Sequence, residues 1–250
     1  PFTLEDYAEL TQDTGIGAAL FMEVDAAESD SAREALFFSE QAATSNFSLC
    51  GVIAAARPEN EDFEAYLDSI TSPRLKAIRR VLHVVDDSVS QSATFRRNIQ
   101  RLGERHLPFD LCMRPPQHTV GLELVDACPD TRFVLDHCGN PNISDPSGFD
   151  FWHSQIKAYA EREQVNAKLS GIVASGQPEQ VSLDTVRPYL DATLEAFGPE
   201  RLVWGSDWPV CTLTTPLPDW IAIFREWLSQ LSDDEQAMIA HRNARRIFSI

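Results

Sequence analysis

The amino-acid sequence predicts an α/β protein, a TIM-type (β/α)8 barrel whose first strand is absent from these 250 residues. Short apolar segments begin near residues 16, 47, 77, 108, 132, 165 and 201. A strand followed by a helix therefore repeats about every thirty residues, which is the length of a βα unit. A helix stands before the first of these strands, where a barrel has another strand. An open doubly wound sheet is the alternative, but no Gly-rich phosphate loop follows the first strand.

The strands are predicted from apolar runs that are bounded by polar or turn residues. They lie at residues 16–22, 47–55, 75–82, 108–113, 132–135, 165–169 and 202–204. Such continuous apolar runs are typical of parallel strands that are buried on both faces. No linker, low-complexity tract or change of composition interrupts the alternation, so residues 1–250 are predicted to form one domain.

Helices are predicted from apolar residues at helical spacing and from N-capping residues at Thr3, Ser182 and Ser232. They lie at residues 3–10, 29–44, 62–70, 92–105, 117–127, 149–160, 182–197, around 220–227, and from 232 to 248. In the second of them, the residues predicted to face inward are Ala32, Leu36 and Ala43.

Charge and composition exclude several classes of protein. Twenty-one basic residues against thirty-eight acidic ones give a net charge of −17, which argues against nucleic acid or an anionic membrane as a partner. No apolar run is long enough to span a membrane, and no signal peptide is visible. Five cysteines without paired metal spacing indicate reduced thiols. We therefore predict a cytoplasmic protein that acts on a small molecule, and a homo-oligomer is left open.

In a barrel, the carboxyl ends of the strands deliver their side chains to one rim, where active sites lie. The polar residues at these positions are Glu23, Arg79, Arg80, His83, Arg114, Asp136, His137, Lys168, Ser170 and Asp207. Each also has a structural interpretation. Glu23 could cap the next helix, Arg114 could be solvated, and Lys168 could point away from the rim because adjacent strand residues face opposite ways.

The combination of His137 and Asp207 is more specific than either residue alone. They end the fifth and the seventh strand, so they share the rim as a general acid–base pair or as a metal pair. Asp207 stands close to Trp204 and Trp208, which exclude water and raise a carboxyl pKa; the alternative is a turn aspartate that caps a helix. A Cys138–His137 nucleophile is disfavoured, because adjacent residues seldom face each other.

Three ordered motifs resemble the amidohydrolase-related family, in the branch of metal-dependent TIM-barrel hydrolases that includes sugar lactonases and pyrone dicarboxylate lactonase. They are Phe133–Pro141, Lys168–Gly171 and Trp204–Pro209. Phe109–Pro115 and Asn243–Phe248 are also similar, so the resemblance covers nearly the whole chain.

The resemblance implies an amidohydrolase-type barrel in which Asp207 is the general base and acid. His137 would polarise the carbonyl or bind a divalent metal, for which zinc is the first candidate. It also implies that Arg79 and Arg114 contact the substrate. To these we add His83 and Trp208 as substrate-binding residues, and Glu23 as a third metal ligand beside His137 and Asp207.

The chain departs from the family at the His-x-His pair that ends the family's first strand. Neither that strand nor the pair is present in residues 1–250, so either an upstream segment supplies them or this form is incomplete. Two ligands alone bind a metal weakly. Some members of the branch work without a metal, so the hydrolase interpretation survives without the pair.

The sequence therefore predicts hydrolysis of a lactone by attack of water on the ring carbonyl. Among lactones, a sugar-derived one is the first candidate substrate. An amidohydrolase-type decarboxylase of an unsaturated or aromatic acid is a second hypothesis, since related barrels carry out that chemistry. A barrel that only binds a partner is the third. Release of carbon dioxide would identify the second, and absence of turnover the third.

Overall fold

The computed structural model describes residues 2–45 and 47–250. Seven parallel strands pair in chain order, each with the next. They are β1 (Ala19–Met22), β2 (Leu49–Ala55), β3 (Leu75–Val81), β4 (Phe109–Cys112), β5 (Phe133–Leu135), β6 (Val165–Leu169) and β7 (Leu202–Trp204). All seven predicted strands are confirmed, although β1 begins three residues later than predicted. Within the described ranges, β1 pairs only with β2, and β7 only with β6.

Helices connect the strands and cover the outside of the curled sheet. They are α1 (Leu4–Leu10), α2 (Glu28–Thr44), α3 (Phe63–Ile70), α4 (Ser88–Gln91), α5 (Ala93–Glu104), α6 (His118–Ala127), α7 (Phe149–Ala160), α8 (Leu183–Phe197), α9 (Leu217–Leu228), α10 (Asp233–Ala237) and α11 (Asn243–Phe248). A π-helical turn at Met238–Arg242 joins α10 to α11. In the described part of the chain, no helix is both long and apolar enough to cross a membrane.

The larger apolar core lies between the strands and the surrounding helices, and Trp152, Trp220 and Trp227 are fully buried in it. Two of the three predicted inward residues of α2 are wrong, because Leu36 and Ala43 are exposed and Ala32 is half-buried. Leu36 is 47% exposed, and its neighbour Ala35 is 2% exposed. Because each residue turns the helix by about 100°, a shift of one position moves a side chain from the core face to solvent.

The inside of the barrel has two layers. Towards the amino ends of the strands lies the inner apolar layer, which consists of Ile53, Ala77, Val134 and Val203. Ile247 and Phe248 of α11 pack against it. Towards the carboxyl ends lies the inner charged layer, which consists of Arg79, Asp110, Asp136 and Lys168. All four residues of the charged layer are buried.

Helix α1 packs over the segment that follows β7. The Tyr7 ring lies 5.5 Å from the Trp208 ring and 5.6 Å from the Phe47 ring. On the same side, Arg225 of α9 donates to the Thr14 carbonyl oxygen at 2.7 Å. The helix predicted before the first strand is therefore present, and it holds one side of the rim in place.

Candidate active site

His137 lies in the tight turn Asp136–Gly139 at the end of β5. Its backbone is left-handed, with φ 56°, a conformation that residues other than glycine seldom adopt. Its Nδ1 atom lies 2.9 Å from the Ser170 hydroxyl oxygen. A Cβ atom added at Gly171 would lie 2.4 to 2.7 Å from the His137 side chain. The Ser170–Gly171 turn after β6 therefore fixes the imidazole by one hydrogen bond and by close packing.

Asp207 follows β7 and also has a left-handed backbone, with φ 53°. One of its carboxylate oxygens lies 3.8 Å from His137 Nε2. The two residues predicted to act together are thus brought together by the barrel. Backbone strain of this kind costs of order 1 kcal/mol or more at each residue, and it clusters at functional sites because the surrounding structure must hold it.

Arg79 of β3 is the most connected side chain of the site. Its Nη1 donates to the Glu23 carboxylate at 3.1 Å, and its Nε forms an ion pair of 2.9 Å with Asp136. Its Nη2 lies 3.2 Å from the Cys112 sulfur and 3.4 Å from His137 Nε2. Arg79 was predicted to contact substrate, but its Nη1 and Nη2 form hydrogen bonds within the protein, and its Nε faces Asp136 as an ion pair without the alignment of a hydrogen bond.

The adjacent residue Arg80 is on the other face of β3. It is also buried, and it pairs with Glu59 at 2.8 Å, away from His137 and Asp207. The alternation of side chains along a strand explains the difference between two neighbouring arginines.

Lys168 of β6 lies inside the barrel. Its ammonium group contacts Asp110 at 2.5 Å and Asp136 at 2.7 Å. Burial raises the pKa of Asp136, but Lys168, Arg79 and His137 lower it more strongly, so this carboxyl stays ionised. For Asp110 burial outweighs Lys168, and its pKa rises to about 6. The sequence left the direction of Lys168 open, and the structure assigns it to the inner charged layer.

Cys112 of β4 joins the site, although its position was not predicted from the sequence. Its sulfur lies 3.3 Å from His83 Nδ1 and 3.2 Å from Arg79 Nη2. The residue is fully buried. An apolar strand that ends in cysteine carries no sign of a site by itself. Cys112 could have been predicted from its position at the end of a strand, which is the same criterion that selected His137.

The remaining predicted residues lie around this centre. Glu23 is buried; one of its carboxylate oxygens accepts from Arg79 and the other accepts from the Asp25 backbone N–H at 2.7 Å. His83 and Trp208 are half-buried, and Arg114 is exposed. Burial lowers the pKa of His83, and Arg114 and Arg79 lower it further, so both cations lie close enough to act on this imidazole.

Burial and charge act against each other on the His137–Asp207 pair. Burial lowers the pKa of His137, but Asp207 and other nearby groups raise it to a net value above the ordinary 6.5. Burial raises the pKa of Asp207, and His137 only partly offsets that effect, so the net value lies above the ordinary 3.8. A carboxylate with a raised pKa beside an imidazole with a raised pKa suits proton transfer near neutral pH.

Cys112, Asp136 and His137 are spaced like metal ligands, since one donor atom of each lies within 4.8 Å of the others. Thiolate, imidazole and carboxylate are donors that zinc accepts. However, Arg79 and Lys168 already hold the two Asp136 oxygens. Arg79 Nη2 also contacts both Cys112 and His137. A metal ion therefore does not fit this group while Arg79 keeps its position.

Two curated relatives share part of the sequence. L-fucono-1,5-lactonase of Burkholderia ambifaria is 30% identical over 187 residues, which cover 71% of this chain and 62% of that protein. L-rhamnono-gamma-lactonase of Scheffersomyces stipitis is 24% identical over 148 residues, which cover 52% of this chain and 44% of that protein. The chain thus matches less than two thirds of the length of these relatives.

Solved structures share the fold. A zinc-bound amidohydrolase of Burkholderia multivorans superposes with a TM-score of 0.91 at 23% identity, over 100% of this chain and 89% of that one. A putative 2-pyrone-4,6-dicarboxylic acid hydrolase of Pseudomonas putida gives a TM-score of 0.77 at 22% identity, over 98% of this chain and 87% of that one.

The family profile described as "Amidohydrolase" matches residues 2–250. The match confirms the resemblance that the Phe133–Pro141, Lys168–Gly171 and Trp204–Pro209 motifs indicated, and it agrees with the barrel of the solved structures. The chain belongs to the amidohydrolase family.

Proposed function

We propose that this chain hydrolyses a lactone, with Asp207 as general base and acid and His137 as the group that polarises the carbonyl. The observation that carries the proposal is the His137–Asp207 pair, 3.8 Å apart at the rim where the strands end. Two side chains from separate strand ends, both in strained backbone conformations, are held towards the same point.

In the first step a water oxygen attacks the lactone carbonyl carbon and gives a proton to the Asp207 carboxylate. The carbonyl oxygen becomes an oxyanion next to the Nε2–H of His137. In the second step the ring C–O bond breaks, its electron pair stays on the ring oxygen, and Asp207 returns the proton to that oxygen. The product is a hydroxy acid, whose carboxyl group releases one proton near neutral pH.

Ser170 and Arg79 orient His137 and set the charge around it. Ser170 is close to Nδ1 and fixes the ring orientation, so Nε2 faces Asp207 and the reacting carbonyl. Arg79 adds a fixed positive charge 3.4 Å from Nε2. Preorganised positive groups of this kind stabilise a developing oxyanion without any reorganisation during the reaction. No step of this mechanism uses a metal ion.

The rim supports a polar, sugar-type substrate. Arg114 is exposed beside the half-buried His83, and a guanidinium can bind hydroxyl or carboxylate oxygens of a sugar acid. Trp208 follows Asp207 directly and offers an aromatic face. The two curated relatives described above carry the names of sugar lactonases, which supports an aldonolactone as the substrate class.

The test is a pH-indicator hydrolysis screen over aldonolactones with the wild type and D207N. We expect wild-type turnover and a loss of at least about 100-fold in D207N, because general acid–base catalysis contributes about 10²–10⁴-fold. D86N is the control: Asp86 is exposed after β3 and bonds to Ser88, so its turnover should equal that of the wild type.

Three results would contradict the proposal. Wild-type turnover in folded D207N would remove Asp207 from the mechanism. Carbon dioxide released from an aromatic or unsaturated acid, without lactone turnover, would favour the decarboxylase. A folded wild type that turns over none of these compounds would favour the barrel that only binds.

A further inference from the structure

We propose that the Arg79 guanidinium is a resident cation in place of a metal ion, and that its removal turns Cys112, Asp136 and His137 into a zinc site. The inference goes beyond the proposed function, because it concerns which cation the site holds and not which bond is cleaved. It rests on the contacts of Arg79 with all three ligand residues.

The guanidinium uses its nitrogen atoms in the way that an ion uses its coordination positions. Nε faces Asp136 at 2.9 Å. Nη2 donates to the Cys112 sulfur at 3.2 Å and lies 3.4 Å from His137 Nε2. Nη1 faces Glu23, through the carboxylate at 3.1 Å and the backbone carbonyl at 3.4 Å. One side chain therefore occupies every potential ligand of the group.

Geometry makes the two cations mutually exclusive. Zinc bonds are about 2.0 to 2.3 Å long for nitrogen and sulfur ligands. An ion that binds both the Cys112 sulfur and His137 Nε2 would lie against Nη2, which is already in contact with both atoms. A divalent ion and a guanidinium at that separation would also repel each other strongly.

Charge balance explains why one cation is needed there. Four buried or half-buried carboxylates surround the centre, and the two permanent cations among them are Arg79 and Lys168. The carboxylates are those of Glu23, Asp110, Asp136 and Asp207. Without Arg79, Lys168 would be the remaining permanent cation beside these carboxylates in the described part of the chain, and buried unpaired charge is costly. A divalent ion would then restore the balance through ligands that zinc prefers.

The experiment measures zinc and cobalt binding to the purified full chain. We expect R79A to bind zinc at least tenfold more tightly than the wild type. With cobalt, R79A should show the near-ultraviolet thiolate-to-cobalt charge-transfer band, and R79A/C112S should lose it. R80A is the matched control: Arg80 is also buried, but it pairs with Glu59, so R80A should bind zinc as the wild type does.

A second variant guards against misfolding. R79Q removes the charge but keeps a planar polar group, and it should also gain zinc affinity. Equal affinities of the wild type and either folded variant would overturn the proposal. A thiolate-to-cobalt band in the wild type that C112S removes would also overturn it, and this measurement needs no Arg79 variant. We expect the wild type to show no such band. Lactone turnover is measured separately, so loss of the proposed activity would leave this result intact.

Discussion

The two inner layers of the barrel are built on the same strands and behave differently. Ala77 and Arg79 stand two residues apart on β3, and both face the barrel interior. Val134 of β5 and Asp136 just beyond it repeat the arrangement. One step of two residues along the strand thus leads from packed apolar side chains to buried ions.

The difference shows how the barrel divides its tasks. The inner apolar layer consists of aliphatic side chains and is closed by Ile247 and Phe248, so it contributes through burial of apolar area. The inner charged layer is also buried, and its charges must be paired to be tolerated. We therefore expect changes in the apolar layer to alter stability alone, and changes in the charged layer to alter stability and chemistry.

The largest expected effect comes from breaking the charged layer with K168M. Asp110 and Asp136 would lose the ammonium group that both contact. Breaking a buried pair by removal of one partner costs about 3–5 kcal/mol, and we expect the free energy of unfolding to fall by that amount. Urea denaturation followed by circular dichroism measures it. K157M removes an exposed lysine of α7 and should remain within about 0.5 kcal/mol of the wild type; equal stability of K168M and K157M would refute the pairing.

The next largest effect tests how the Ser170–Gly171 turn, beside the charged layer, holds His137. In G171A, a methyl group at φ 62° would lie 2.4 Å from His137 Nδ1, so the imidazole must move. Misplacement by about 1 Å can cost 100-fold in rate, and we expect kcat for the lactone to fall about 100-fold.

G148A is the control for G171A. A Cβ atom at Gly148 meets nothing within 4 Å, so this variant should keep full turnover. If folded G171A turned over as fast as G148A, the close packing of Gly171 on His137 would have no catalytic role.

The third test is the pH dependence of kcat/KM. Activity needs Asp207 as carboxylate, so it should fall as pH drops through a pKa that burial raises above 3.8. It also needs the positive charge of the protonated His137 ring, so it should fall as pH rises through the His137 pKa, which burial lowers but Asp207 and nearby groups raise to a net value above 6.5. We expect a bell-shaped profile that declines about tenfold per pH unit on each side. A flat profile between pH 4 and 9 in stably folded protein would contradict these roles.

The smallest expected effect comes from a change in the inner apolar layer. I53V removes one methylene from the inner apolar layer, and such changes cost about 0.5–1.5 kcal/mol. We expect that loss in urea denaturation, with kcat unchanged. V84A, at a position 57% exposed, should change neither quantity measurably. A large fall of kcat in I53V would show that the two layers are coupled.

The order of strands and helices could be predicted because it depends on local patterns. Apolar runs, capping residues and helical spacing lie within about ten residues of one another, and the seven strands follow them. His137 and Asp207 were found because a strand end is also a local signal, and the barrel brings them to 3.8 Å.

The partners of the charged layer could not be predicted in the same way. Lys168 contacts Asp110, which is 58 residues earlier in the chain, and Arg79 contacts Cys112, which is 33 residues later. No periodicity within one strand indicates which residues of other strands will face it. The exposure of Leu36 was missed because Ala35, Leu36, Phe37 and Phe38 are four consecutive apolar residues, so the sequence does not show which of them faces the core.

The sequence by itself determined the βα alternation, the family and the two strand ends that carry His137 and Asp207. Only the tertiary structure decided that Cys112 joins them, that Lys168 points inward, and that Arg79 contacts Glu23, Cys112 and Asp136 within the protein. The physical reason is that side-chain alternation and apolar runs are properties of one segment. Pairing of buried charges, by contrast, depends on which segments the closing sheet places side by side.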